Sequence, residues 1–287
     1  VAMAASLGVG RARLWLHDYF TLCTSYALQR NNVSFCGAPA PTSNACGICL
    51  FGEARAKQGP RMQTLFDALD IEVVSPSQDT LDFWTSRTAL TAQAKTLLPH
   101  VELTPLPPTR ACVPPTEAPV RLAFIGTPAP HKGWPVFTEL QRRLRAEPGY
   151  EFWYFGAEDP GQPDIQHVEV HVRASDPEAM LRAIQEHQVD LVLHWASWRE
   201  TFSFSTFEAM GGGAFVLTNA GSGNVAAAVT ALDRGAVLKD TDALYAHAAS
   251  GGIRDLADRA RAARHKGALA ATFSNMSFDF LEREQPE

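Results

Sequence analysis

From residue 120 onward the chain alternates short, almost purely apolar runs with stretches of helical spacing. Val120–Gly126 (VRLAFIG) and Tyr150–Gly156 (YEFWYFG) each read as a strand closed by glycine. Between them, Trp134–Glu147 carries Val136, Leu140 and Leu144 about one turn apart, which predicts an amphipathic helix. His167–Arg173 alternates with period two, as a strand does. Ser175-Asp176-Pro177-Glu178 has the form of a capping box and predicts a helix from there to about Gln188. Val189–Trp195 (VDLVLHW) reads as a buried strand and the region of Thr206–Met210 as a helix. Ala214–Ala220 and Gly235–Lys239 read as further strands. Strands alternating with helices imply parallel pairing through right-handed crossovers. Apolar strands imply a sheet covered on both faces. Val120–Asp240 is therefore expected to form a doubly wound α/β domain. Such sheets bind ligands beyond the carboxyl ends of their strands. The loops of interest are Thr127–Gly133, Ala157–Gln166, Ala196–Ser205 and Gly221–Asn224.

The earlier part of the chain is less regular. Leu14–Leu16 runs into His17-Asp18-Tyr19-Phe20 like a strand end. Glu53–Leu69 and Asp79–Leu90 read as helices, and Ile71–Ser75 as a strand. This is about half of a second α/β domain, and so few strands would bury little core alone. The chain also opens on Val1 within an apolar stretch, as if entered partway through a domain. The segment 99–118 is rich in proline, which fixes φ and lacks an N–H donor, so it reads as an extended linker. The expected division is 1–118, with a cysteine-rich loop over 23–49, and 119–287.

With 287 residues, about two domains are expected. A composition 46% hydrophobic and 20% charged is that of a soluble globular protein. The net charge of -6, without any run of Lys or Arg, argues against nucleic acid as a partner. No apolar run approaches the ~20 residues of a membrane-spanning helix.

Four cysteines, Cys23, Cys36, Cys46 and Cys49, follow one another as C-x12-C-x9-C-x2-C. Four thiolates can complete a closed tetrahedral Zn site, which would brace a long loop. The same spacing leaves a disulfide, free thiols or an iron–sulfur cluster open. Cys112 stands apart, as a simple thiol.

Two segments carry candidate chemistry. In Gly126-Thr127-Pro128-Ala129-Pro130-His131-Lys132-Gly133, a strand ends and Lys132-Gly133 opens a helix. Backbone N–H groups at a helix start favour anions, and a lysine there adds a mobile positive charge. Alone, this is equally a solvated turn. No G-x-x-x-x-G-K-[ST] loop and no G-x-G-x-x-G after a strand is present, which disfavours P-loop and dinucleotide enzymes. The second segment places Glu200 on a loop and Glu208 in the following helix, before Gly211-Gly212-Gly213. The two carboxylates, with the hydroxyls of Thr201, Ser203 and Ser205, can line one crevice. A capped amphipathic helix with two solvated glutamates accounts for the spacing equally well.

The strand–loop–Lys-Gly segment, followed by E-x7-E-A-M and a glycine-rich turn, resembles the nucleotide-sugar domain of retaining GT-B glycosyltransferases of the group 1 type. The resemblance covers nearly all of 120–281. HDYFTLC, Cys36-Gly37, Cys46-x-x-Cys49 and VVSPSQDTLDFW resemble the second half of that family's N-terminal domain. The implied fold is α/β and GT-B-like: two Rossmann-like doubly wound domains facing a cleft, the first incomplete. The implied reaction moves a sugar from a nucleotide-diphosphate donor to a glycan or lipid hydroxyl, with retention and without a metal. Lys132 would pair with the donor diphosphate, Glu200 would hold the donor sugar, and Glu208 the ribose. Amides of Phe202 and Ser203 would hold phosphate or sugar, and Val172 and Arg173 would meet the base. His17 would face the donor sugar. Gly126 closes the strand, and Thr127 stands where the family has an arginine, so either His131 or Arg199 substitutes or donor affinity is weak. Ser203 replaces a family glycine. A cytoplasmic protein of cell-envelope polysaccharide synthesis is implied, with peripheral membrane contact through the missing N-terminal part. The same architecture also serves nucleotide-sugar epimerases and donor-binding proteins without turnover.

Overall fold

The computed structural model describes residues 1–107 and 118–274. Contacts divide the chain into two units: residues 1–100 with Trp198–Phe202, and 101–197 with 203–287.

Unit 1 begins with a short helix, α1 (Ala2–Ser6), and strand β1 (Arg11–Trp15). A long loop follows, interrupted by a small hairpin of β2 (Gln29–Arg30) and β3 (Ser34–Phe35) and by a single-turn helix, α2 (Asn44–Gly47). Then come α3 (Gly52–Ala68), β4 (Asp70–Ser75), α4 (Gln78–Arg87) and β5 (Ala94–Leu97). The three longer strands form a parallel sheet in the order β1-β4-β5. So small a sheet borrows its core from the loop. Tyr19, Leu22, Cys23, Leu28 and Ala38 pack with Phe66, Val73 and the fully buried Trp84. The Trp84 Nε1–H finds Thr21 Oγ1 at 2.9 Å, so burial leaves that donor satisfied.

Unit 2 opens with β6 (Val101–Pro105), inside the stretch expected to be linker. It pairs antiparallel with the last described strand, Leu269–Phe273. Alternation over Val101-Glu102-Leu103 suffices once a partner strand is supplied, and Pro105 sits at the strand's end, where its missing donor matters least. The rest of the expected linker, 108–117, including Cys112, lies outside the described residues.

The main sheet uses β7 (Val120–Ile125), β8 (Tyr150–Gly156) and β9 (Gln166–Glu169), with α5 (Trp134–Leu144) between the first two. Then come α6 (Ala179–Glu186), β10 (Leu191–Leu193), α7 (Phe204–Gly211) and β11 (Phe215–Asn219). Helix α8 (Asn224–Leu232), β12 (Gly235–Leu238), α9 (Thr241–Ala249), α10 (Gly252–Lys266) and β13 (Leu269–Phe273) complete the unit. All six main strands are parallel, in the order β12-β11-β10-β7-β8-β9. Numbered within this sheet, it is the doubly wound order 3-2-1-4-5-6. Leu122 and Phe124 join one core cluster with Phe137, Leu140, Leu193, Ile253 and Leu256. Their neighbours Ala123 and Ile125, which point the other way, are buried as well, so both faces are covered. Helix α10 docks through Arg261 and Arg264, which both bond the buried carboxylate of Asp190.

Two expectations are corrected here. The strand after β8 ends at Glu169, not Arg173, because Arg173 and Asp176 close a small backbone bridge. Ser175 falls inside that turn, so its capping box is not formed. Helix α6 starts at Ala179, four residues late, without a side-chain cap.

Candidate functional site

In the order 3-2-1-4-5-6 the strand sequence reverses between β7 and β10. The crevice there, at the carboxyl ends, is where such sheets take ligands. The two loops that leave it are the two segments singled out by sequence.

After β7, Gly126 turns with φ of 85° and Thr127 is exposed. A single 3-10 turn, Pro130–Lys132, carries an exposed His131 and a half-buried Lys132. Gly133 then caps α5 with φ of 96°, and a Cβ there would lie 2.5 Å from the Trp195 carbonyl oxygen. Glycine is therefore required twice over, by backbone sign and by space. The His131 carbonyl accepts from Ser197 N–H at 2.9 Å. Asn219, at the end of β11, donates from Nδ2 to the Ala196 carbonyl at 2.9 Å. The loops after β7, β10 and β11 are thus bonded to one another.

Ser203 opens α7 in the left-handed region, with φ of 80°. That conformation costs a side chain roughly 1–2 kcal/mol and suits glycine. The serine is held there by its hydroxyl, 3.2 Å from His194 Nε2, 3.2 Å from Ser205 Oγ and 3.0 Å from Thr206 Oγ1. Glu208, one turn further along α7, is buried, and burial pushes its carboxyl up to about 7.

That shift has a sign that can be tested. The unfolded chain loses the Glu208 proton near the ordinary 4.5, the folded protein near 7. Between these values the folded state binds more protons, so stability falls as pH rises through the window and levels off above it. The difference is roughly 3 kcal/mol. Urea midpoints at pH 5 and pH 8 should therefore draw together in Glu208→Gln relative to wild type. Equal pH dependence in the two proteins would refute this account.

Glu200 is placed differently. It lies on the pentapeptide Trp198–Phe202, which packs within unit 1, whereas Glu208 belongs to unit 2. Glu200 is buried, and its Oε1 accepts from Trp198 Nε1 at 2.8 Å. The hydroxyls expected along one crevice are likewise shared out between the two units. Thr201 Oγ1 donates to the His17 carbonyl at 2.7 Å, while Ser203 and Ser205 bond to each other in unit 2. Phe202 is buried against His100, ring centroids 4.8 Å apart. The His17 ring stacks on His100 at 5.5 Å and on Trp15 at 5.8 Å. Burial and the neighbouring His17 lower His100 to about 4, so it is neutral at ordinary pH.

Val172 and Arg173 lie exposed beyond the end of β9, and Arg173 takes part in the Asp176 bridge. Arg199, one candidate to offset Thr127, pairs instead with Asp79 and lies over the Phe83 ring. Sequence reasoning passed over His194, His100 and Asn219. For His194 and Asn219 the signal was a polar residue following or ending an apolar strand; His100 follows the mostly exposed β5 and carried none.

The zinc expectation finds no support. Cys23, Cys36, Cys46 and Cys49 line one small cavity, but all four are free. Among the described residues no group of three or more His, Cys, Asp or Glu comes together to hold a metal ion. The buried guanidinium of Arg55 supplies the physical reason. Its Nη1 donates to Cys46 Sγ at 2.9 Å and its Nε to the Leu22 carbonyl at 3.0 Å. A fixed cation beside one thiol opposes a second cation at the same place. Burial also raises the Cys23 thiol, away from the thiolate a metal needs.

These features define an α/β protein with the GT-B glycosyltransferase fold. Among solved structures, Anabaena HepE in complex with UDP matches 99% of this chain and 74% of its own, at 13% identity and a TM-score of 0.53. HepE with UDP and glucose gives the same coverage and identity with a TM-score of 0.52. WaaG, a glycosyltransferase involved in lipopolysaccharide biosynthesis, matches 72% of this chain at 16% identity and a TM-score of 0.47. The chain spans 62% of the length of WaaG. No protein-family model matches the sequence, and no curated protein does. No helix among the described residues is long and apolar enough to cross a membrane.

Proposed function

We propose that this protein is a glycosyltransferase that takes a sugar from a nucleotide-diphosphate donor and passes it, with retention, to a glycan or lipid hydroxyl. The observation that carries this reading is the switch point of the six-stranded sheet. Its two loops present Lys132 at one helix start and Ser203 at another. HepE, similar in fold, was solved with UDP and with UDP and glucose, which supports a UDP-sugar donor.

The chemistry follows from where charge develops. As the bond to the anomeric carbon breaks, negative charge grows on the departing diphosphate. The Lys132 ammonium and the N–H groups opening α7 would stabilise it, already oriented before reaction. Glu208 would accept from ribose hydroxyls. Glu200 would orient the donor sugar through its hydroxyls. With Thr127 in place of an arginine, a bidentate phosphate contact is lost, so donor affinity rests more heavily on Lys132.

The test is a thermal-shift series with UDP, UDP-glucose, other nucleoside diphosphates and their sugars, and ATP as control. A ligand at 100 times its Kd stabilises by about 2.7 kcal/mol, a rise in Tm of about 5–10 °C. A rise with a nucleoside diphosphate or its sugar, weakened in Lys132→Ala, is the expected result. The absence of any rise across the series would overturn the reading.

A further inference from the structure

We propose that Ser77 and Thr80, at the start of α4, are positioning residues for Glu200, an assignment that rests on the glycosyltransferase reading above. Both residues fall in the VVSPSQDTLDFW segment, some 120 positions before the loop they hold. Ser77 Oγ donates to the Thr201 carbonyl at 2.8 Å, and Thr80 Oγ1 donates to the same oxygen at 3.0 Å. Thr80 is completely buried. A carbonyl that receives two hydroxyls has both lone pairs engaged, which fixes the direction of its peptide plane.

That plane adjoins Glu200. The rest of the pentapeptide is held from the same unit. Thr201 Oγ1 bonds the His17 carbonyl, Arg199 pairs with Asp79, and the Trp198 ring meets Tyr26 edge-on at 6.3 Å. Trp198 in turn donates to Glu200 itself. The carboxylate is therefore aimed by unit 1, although it sits only eight residues before Glu208 of unit 2. On that reading the nucleotide is held by Lys132, Ser203 and Glu208, all of unit 2, whereas Ser77 and Thr80 belong to unit 1. Loss of their hydroxyls should misdirect Glu200 and leave nucleotide affinity alone.

The test uses the full chain. Thr80→Val keeps the shape of the side chain and removes its hydroxyl. Ser77→Gly removes the other hydroxyl while largely preserving the helix cap. In the double variant, amide hydrogen exchange in peptides covering 198–202 should quicken about tenfold. UDP affinity should stay within about twofold, and consumption of UDP-glucose should fall roughly 10- to 100-fold in kcat with KM nearly unchanged. Thr80→Ser, which restores the donor, should behave as wild type. Should the double variant not fold, Thr80→Val alone carries the same expectation. Unchanged exchange over 198–202 would overturn the proposal, as would a loss of UDP affinity equal to the loss of kcat. If wild type binds no UDP and consumes no nucleotide sugar, the glycosyltransferase reading fails. The exchange measurement still decides whether the two hydroxyls hold the pentapeptide.

Discussion

Replacing Lys132 with alanine is expected to lower donor turnover roughly 10²- to 10³-fold without unfolding the protein. Glu200→Gln should do the same. The arguments differ. Lys132 lies on a single turn between β7 and α5, outside the core cluster of its unit, so its removal costs little packing. What would be lost is a positive charge beside a diphosphate that becomes more negative as the reaction proceeds, so the effect falls on kcat as well as on donor affinity. Glu200 is buried and bonded to the Trp198 indole, and glutamine retains an oxygen acceptor for that donor. What glutamine lacks is the charge that strengthens hydrogen bonds from sugar hydroxyls. UDP release against time, with Tm measured alongside, checks both. Turnover like wild type in either folded variant would remove this mechanism.

Gly133→Ala is expected to destabilise the protein by about 2–5 kcal/mol. Two costs add. The left-handed backbone at φ of 96° disfavours any Cβ, and the new carbon would overlap the Trp195 carbonyl 2.5 Å away. Relief would require β10 and the Lys132 turn to part, at the switch point itself. The variant should therefore lose UDP binding even where enough of it remains folded to measure. Urea denaturation and calorimetry with UDP test this. A shift in the urea midpoint worth less than about 1 kcal/mol would show that the loop yields without strain.

Most of the main sheet was legible because fully buried parallel strands read as unbroken apolar runs. Tyr150–Gly156 was read to the residue, and the strands at 120, 215 and 235 to within one or two. Where reading failed, a distant partner or a local competitor decided. Strand β6 depends on Leu269–Phe273, more than 160 residues away, and no local pattern announces it. The capping box at Ser175 lost to the Arg173–Asp176 bridge. Among the candidate site residues, Lys132 and Gly133 were legible as a Lys-Gly pair after a strand, and Ser203 and Glu208 through the E-x7-E segment before a glycine-rich turn. Ser77, Thr80 and Asp79 were legible only as part of the VVSPSQDTLDFW segment, since their contacts are made to residues some 120 positions away. The cysteine spacing left a zinc site, a disulfide and free thiols open, and could not reveal Arg55 among the thiols.

The pentapeptide that leaves unit 2 at Ser197 and rejoins it at Ser203 has a consequence for dissecting the molecule. A fragment severed after His100 would carry Trp198–Phe202 but none of the residues that cover it. Phe202, now buried, would be laid bare, and the Thr201 carbonyl would lose both its donors. The complementary fragment would keep Ser77, Asp79 and Thr80 without the chain they bond. Neither half is a module that can be borrowed intact. A cut that respects the architecture must take the strip of chain along with the lobe that grips it.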